Sequence, residues 1–191
     1  MDCFEKVNLK YILLNTLQKL NIKMNEFIFK SKKLKDTEKL AISIASFIEL
    51  GDLVLLNGEL GSGKTTFARA IINSKYFAND QNHIVPSPTF NFLQVYKFDN
   101  SVIGHADLYR VKNKNEIMAL NLQNIVDEGS LIVEWPEIMG SSISGNILNI
   151  IFEIQDDELI LKIINKGGWH NRLKSIYNLS LIHISEPTRP V

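Results

Sequence analysis

The chain has 191 residues, 45% of them apolar and 22% charged, which is enough apolar material for one sizeable core without a disulfide or metal staple. Lys and Arg number 21 and Asp and Glu number 21, so the overall basic excess by which a protein grips RNA or DNA backbone on its own is excluded. One cysteine, Cys3, excludes an internal disulfide framework and fits a reducing compartment.

In chain order, Met1 to Lys23 read apart from the rest. Leu9, Leu13, Leu17 and Leu20 fall at helical spacing. Residues 1–23 are therefore either a genuine helical extension or an over-long start, with Met24 as the first native residue. The longest apolar run there, Tyr11 to Leu14, is shorter than the ~7–15 residues of a secretory signal core. No run approaches the ~18 apolar residues of a membrane-spanning helix, so a cytoplasmic protein with no membrane partner is expected. Phe27, Ile28 and Phe29 predict a strand. The lysines at 30, 32, 33 and 35 read as a solvated turn, a local basic patch being the other reading.

Asp36 is the expected N-cap of a helix reaching about Leu50, with Leu40, Ile44, Phe47 and Ile48 inward. Leu53 to Leu56 is a strand buried on both faces. A glycine-rich turn follows, then a helix from Thr65 to about Tyr76. Strands are predicted near Phe90–Phe98 and Val102–Ala106, a helix over Asn115–Leu122, and a buried strand at Leu131–Glu134. Ile147–Ile154 and Leu159–Ile164, joined through Asp156-Asp157, predict a hairpin. Residues 179–191 read as a non-native or disordered tail: Pro187 and Pro190 stop any helix, and the string SLIHISEPTRP resembles translated sequencing-adapter sequence. The expected folded domain is thus 24–178. Its fold class is α/β, a P-loop NTPase-type three-layer sandwich whose largely parallel central sheet carries antiparallel hairpin additions.

Gly58-Glu59-Leu60-Gly61-Ser62-Gly63-Lys64-Thr65 matches G-x-x-x-x-G-K-[ST] in full. The glycines let backbone N–H groups turn inward as an anion nest. The helix that follows, Thr65 and Thr66 in its first turn, turns its positive dipole end to the phosphates. Lys64 supplies a point charge at the β- and γ-phosphates, and the Thr65 hydroxyl ligates Mg²⁺. ATP and Mg²⁺ are therefore the expected cofactors. Two carboxylates end buried strands at the carboxyl edge of the sheet, Asp107 and Glu134. Either can hold Mg²⁺ through water or polarise the attacking water; Glu134 is expected to act mainly on turnover and Asp107 mainly through Mg²⁺. Thr89, in Ser87-Pro88-Thr89, stands where a switch-like loop reaches the γ-phosphate. His105 shares the face of Asp107 and reads as a structural residue; Arg110 reads as solvated.

The series GELGSGKTT, SPTF, HADLYR and IVEWPE, in this order, resembles the bacterial TsaE (YjeE) family over roughly Phe27 to Ile164. That resemblance implies a small ATPase required for N6-threonylcarbamoyladenosine modification of tRNA. It implies Mg-ATP at a single α/β domain and a partner pair, TsaB and TsaD, that performs the carbamoyl transfer. It assigns Lys64 and Thr65 to phosphate and metal, Thr89 to the switch-like loop, and Asp107 and Glu134 to the acidic pair, with Trp135 adjoining. RNA would be met only through the partners, and DNA not at all. Rival readings are a small-molecule kinase, a GTPase and a nucleotide-gated binding protein with little turnover. Against the kinase, no arginine cluster lies between Asn113 and Gly129. Against the GTPase, Asn113-Lys114-Asn115-Glu116 carries Glu where N-K-x-D needs Asp.

Overall fold

A computed structural model of the chain describes residues 25–76, 85–98 and 101–184. The expected N-terminal helix lies outside them. Seven strands form one sheet among the described residues: β1 (Glu26–Ser31), β2 (Asp52–Gly58), β3 (Leu93–Phe98), β4 (Ser101–Asp107), β5 (Ser130–Glu134), β6 (Asn146–Gln155) and β7 (Glu158–Asn165). Their spatial order is β1-β7-β6-β2-β5-β4-β3. The centre is parallel, with β2 between β5 and β6 and β4 beside β5. Antiparallel pairs flank it on both sides, β6–β7–β1 on one and β4–β3 on the other. This is the mixed α/β sheet that the sequence predicts.

The strands bury alternate residues on two faces, because successive side chains of a strand point opposite ways. On β2, Val54 and Leu56 enter one core and Leu53 the other. The first core is covered by α1 (Leu34–Ala45), α2 (Lys64–Tyr76) and α5 (His170–Ile184) through Leu40, Ile44, Phe67, Ile71, Leu173 and Ile176. The second is covered by α3 (Lys114–Ala119), α4 (Leu122–Glu128) and a 3-10 turn, Pro136–Met139, through Ile117, Leu122, Val126 and Met139. Each face of the sheet thus carries its own helical layer.

Several elements differ from expectation. Lys33, not Asp36, is the N-cap of α1; Asp36 sits at the third helical position, its carboxylate accepting the Lys33 N–H at 3.2 Å as half of a capping box. The same helix ends at Ala45 rather than near Leu50. The Ser46 hydroxyl bonds back to the Ser43 carbonyl, and the Asp52 carboxylate captures the Glu49 N–H, which draws residues 46–52 into a turn. The helix expected over Asn115–Leu122 is two helices, broken where Asn121 adopts a left-handed φ of 50°. Strand β3 starts at Leu93, after a turn in which Asn91 N–H meets the Pro88 carbonyl and Phe92 takes φ 60°. The hairpin is as expected, with positive φ at both Asp156 and Asp157, the mark of a type I′ turn.

Sequence reasoning did not find α5, although Trp169, Leu173 and Ile176, all fully buried, are spaced as one helical face. This helix crosses the boundary expected at 178/179 and ends at Ile184.

Candidate functional site

Strand β2 delivers the glycine-rich loop at the carboxyl edge of the sheet, and α2 departs from it. Gly58 ends the strand at φ 146°, where any Cβ would lie 2.7 Å from the Phe152 carbonyl oxygen, so only glycine fits. Gly61 and Gly63 take φ 79° and 100°. These left-handed turns curl the loop around its own N–H groups, the geometry of an anion nest.

Lys64 is buried, its Nζ donating to the carbonyls of Gly58 and Glu59 at 2.7 Å each. The ammonium also stands 4.0 Å from the ring centroid of Trp135. Burial holds its pKa below the ordinary lysine value, while Glu134, Glu137 and Asp107 pull it back up. Trp135 reaches this position from a left-handed backbone, φ 57°, fixed by its N–H on the Leu56 carbonyl. For a bulky residue that conformation costs about 1–2 kcal/mol, and it lays the indole against both the lysine and Tyr109, whose ring centroid is 4.9 Å away.

The two carboxylates meet through strand register, since Asp107 of β4 pairs directly with Glu134 of β5. Thr65 Oγ1 donates to Glu134 Oε2 at 2.7 Å. Glu134 Oε1 lies 2.8 Å from His105 Nε2. Asp107 is held separately: Thr89 Oγ1 donates to its Oδ2 at 2.6 Å and the Tyr109 N–H to its Oδ1 at 3.0 Å. Ser87 in turn bonds the Thr89 hydroxyl at 2.8 Å. Both carboxylates and the lysine are almost wholly buried.

These groups line one open cleft of about 410 Å³. From the sequence-predicted set it contains Leu60, Gly61, Gly63, Lys64, Thr65, Thr66, Thr89, Asp107 and Glu134. Gly58, Glu59 and Ser62 do not line it; they face a neighbouring hollow with Trp135, Glu137 and the end of β6. Tyr109 and Arg110 complete the cleft wall. The Arg110 guanidinium lies over the exposed Phe90 ring, 4.7 Å from its centroid. Sequence reasoning passed over Tyr109 and left His105 as structural; alternation along β4 was the one signal that could have joined His105 to the acidic pair. The near-match to a guanine motif has a local explanation: Asn113 caps α3, accepting the Glu116 N–H at 3.1 Å.

A family model described as threonylcarbamoyl adenosine biosynthesis protein TsaE matches residues 31–161. The chain belongs to the TsaE family. Curated relatives described as tRNA threonylcarbamoyladenosine biosynthesis protein TsaE include one from Rickettsia felis, 40% identical over 123 residues, covering 64% of this chain and 70% of the relative. Another, from Rickettsia typhi, is 38% identical over 135 residues, covering 71% and 92%. One from Bacillus subtilis is 27% identical over 135 residues, covering 71% and 82%. The crystal structure of Bacillus subtilis YdiB superposes with a TM-score of 0.62 at 23% identity, over 84% of this chain and 97% of that one; it supports the fold. All four motif blocks that carry the TsaE resemblance, from the glycine-rich loop to Glu134 and Trp135, fall inside the matched span. No helix among the described residues is long and apolar enough to cross a membrane.

Proposed function

We propose that this TsaE-family chain is a cytoplasmic Mg-ATP-dependent ATPase of tRNA threonylcarbamoyladenosine modification, hydrolysing ATP while docked to a TsaB–TsaD-like pair. The observation that carries the reading is the hydrogen bond from the Thr65 hydroxyl to Glu134 beside Lys64, at the mouth of the glycine loop. A hydroxyl and a carboxylate, both oxygen donors, next to a phosphate cradle suit Mg²⁺, which takes few protein ligands and shares substrate phosphates. When bound with ATP, Mg²⁺ would offset charge on the phosphates and the leaving oxygen.

The chain's own residues divide the remaining work. The loop N–H groups and the α2 N-terminus receive the phosphates of ATP. Lys64 holds positive charge against them, already desolvated and therefore strong in its effect. Thr65 and Glu134 would hold the metal, Glu134 directly or through water. Asp107, fixed by Thr89 and the Tyr109 N–H, is oriented to take a proton from or align the attacking water. Expectation from sequence weighted the acids the other way, Glu134 toward turnover and Asp107 toward metal. Hydrogen bonding favours the present assignment, because the Thr65 contact belongs to Glu134.

The test is ATP turnover in the presence of the partner pair, as a function of Mg²⁺, for the parent, Glu134→Gln and Asp107→Asn. Glu134→Gln should raise the Mg²⁺ concentration giving half-maximal rate. Asp107→Asn should lower kcat by about 100-fold or more with KM little changed. Parent-like turnover in both variants would overturn the roles given to the two acids, and negligible turnover by the parent with the pair present would leave the nucleotide-gated binding protein as the better reading.

A further inference from the structure

Glu134 is held at its outer oxygen by Thr65, but its inner oxygen faces His105, a residue for which neither the sequence motifs nor the reading above has a use. His105 is completely buried on β4, two residues before Asp107 and on the same face. Its Nε2 lies 2.8 Å from Glu134 Oε1, and both side chains are withdrawn from solvent. Its Nδ1 is buried with no hydrogen-bond partner among the described residues. An ionised carboxylate only accepts hydrogen bonds, so the proton of a neutral imidazole in this contact belongs on Nε2. Nδ1 is then an orphaned acceptor. The other neutral tautomer would orphan an N–H donor and set two acceptors against each other at 2.8 Å. A buried polar atom left unpaired costs about 1–3 kcal/mol, and an apolar side chain in the same space would avoid that cost. The Glu134 contact is what the histidine supplies in return.

We propose that His105 is a positioning residue for the ATPase site: its Nε2–H clamps the inner oxygen of Glu134, so that the outer oxygen is presented to Thr65 and the metal. The proposal rests on the nucleotide-site reading of Glu134. Its physical basis is that a buried carboxylate with one oxygen free rotates about χ3, a broad torsion with a low barrier, whereas one held at both oxygens is fixed in plane. Groups that hold a metal-binding carboxylate in this way typically matter about 10- to 100-fold.

Two variants and one spectrum test it. His105→Leu fills the space without a donor; His105→Gln sets an amide N–H at the same distance from Cβ as Nε2. His105→Leu should bind ATP as the parent does, raise the Mg²⁺ requirement about 10- to 100-fold, and lower turnover at limiting Mg²⁺. His105→Gln should recover a large part of that loss. Equal impairment in both variants, or none in the folded leucine variant, overturns the proposal. Independently of any activity and of whether His105→Leu folds, the ¹⁵N chemical shifts of His105 in the nucleotide-free parent should report the Nε2–H tautomer; an Nδ1–H tautomer overturns it. ATP binding by the parent, measured separately by calorimetry, tests the nucleotide reading itself, so failure of that reading is distinguishable from failure of the clamp.

Discussion

Lys64 is the residue on which the site turns, and its environment sets its behaviour. The ammonium is desolvated, backed by the Trp135 ring and parked on two loop carbonyls, so little water is stripped from it when a phosphate arrives. Lys64→Ala should therefore weaken ATP binding at least about tenfold, or about 1.4 kcal/mol, by calorimetry, with the fold unchanged by circular dichroism; unaltered affinity would remove the phosphate assignment. The lowered pKa adds a pH dependence. Lys64 loses its proton below the ordinary lysine value of 10.5, so ATP affinity of the parent should fall on the alkaline side earlier than a solvated lysine would allow. That limb should be missing from the Ala variant. The loop was legible because its chemistry is local: eight consecutive residues between a buried strand and a helix contain the whole device. The carboxylates were legible as strand ends. Their partners were not, because Thr65 with Glu134, Thr89 with Asp107 and His105 with Glu134 arise from the register of β2 and of β4 against β5 and from a turn at Pro88–Phe92, none of which periodicity encodes.

Elements with one strong pattern were legible in the same way. The buried runs of β2 and β5 and the β6–β7 hairpin follow from apolar content and turn chemistry alone. Where the expectation failed, a local feature overrode the pattern: the Asp52 side chain captures the Glu49 N–H beyond the end of α1, and the left-handed backbone of Asn121 divides α3 from α4. Helix α5 was missed, and it is the element with the most specific anchor. Arg172 donates to both oxygens of the fully buried Asp52, at 2.6 and 2.8 Å, and also to the Phe47 carbonyl at 2.8 Å. Its guanidinium stacks 3.9 Å from the Trp169 ring centroid. Arg172→Ala leaves a buried carboxylate unpaired and should cost about 3–5 kcal/mol, read as a fall in Tm of roughly 10 °C for a domain of this size. An Asp52→Leu/Arg172→Met double variant should recover much of it, since it buries no lone charge. Because Trp169, Arg172, Leu173 and Ile176 all precede residue 178, a chain trimmed to Met24–Asn178 should fold and bind ATP like the full chain. A Tm lower by more than about 5 °C, somewhat above a kcal/mol, would show that residues beyond those limits pack on the core. Trimming at Gly168 should abolish cooperative unfolding.

At the scale of the whole molecule the charge balances to zero, which leaves no general attraction for polyanionic RNA. The family to which the chain belongs serves a tRNA modification, and under the proposed function contact with tRNA is met through the partner pair. The surface around the cleft favours the same view. Leu60 and Tyr109 line its mouth, and Phe90, beneath Arg110, is 78% exposed beside them. Apolar side chains grouped at the opening of a nucleotide cleft are a common mark of a surface covered in a complex. Arg110 reaches the cleft wall but rests on Phe90, so a covering partner would decide whether that guanidinium turns to the phosphates, or would supply a cation in trans. The chain alone should therefore hydrolyse ATP slowly and accelerate when the pair is present. The measurement combines the purified chain with a TsaB–TsaD-like pair, tRNA, ATP and threonylcarbamoyl-adenylate, and follows phosphate release and modified adenosine. Both should depend on this chain over multiple turnovers. Phe90→Glu, which puts a charge on the exposed surface beside the cleft, should lower the partner-stimulated rate at least about tenfold while leaving ATP affinity within about twofold, because Phe90 lies outside the cleft lining. If multiple-turnover modification proceeds equally well without the chain, the assignment to tRNA modification fails, and the nucleotide site stands as that of a protein with another task.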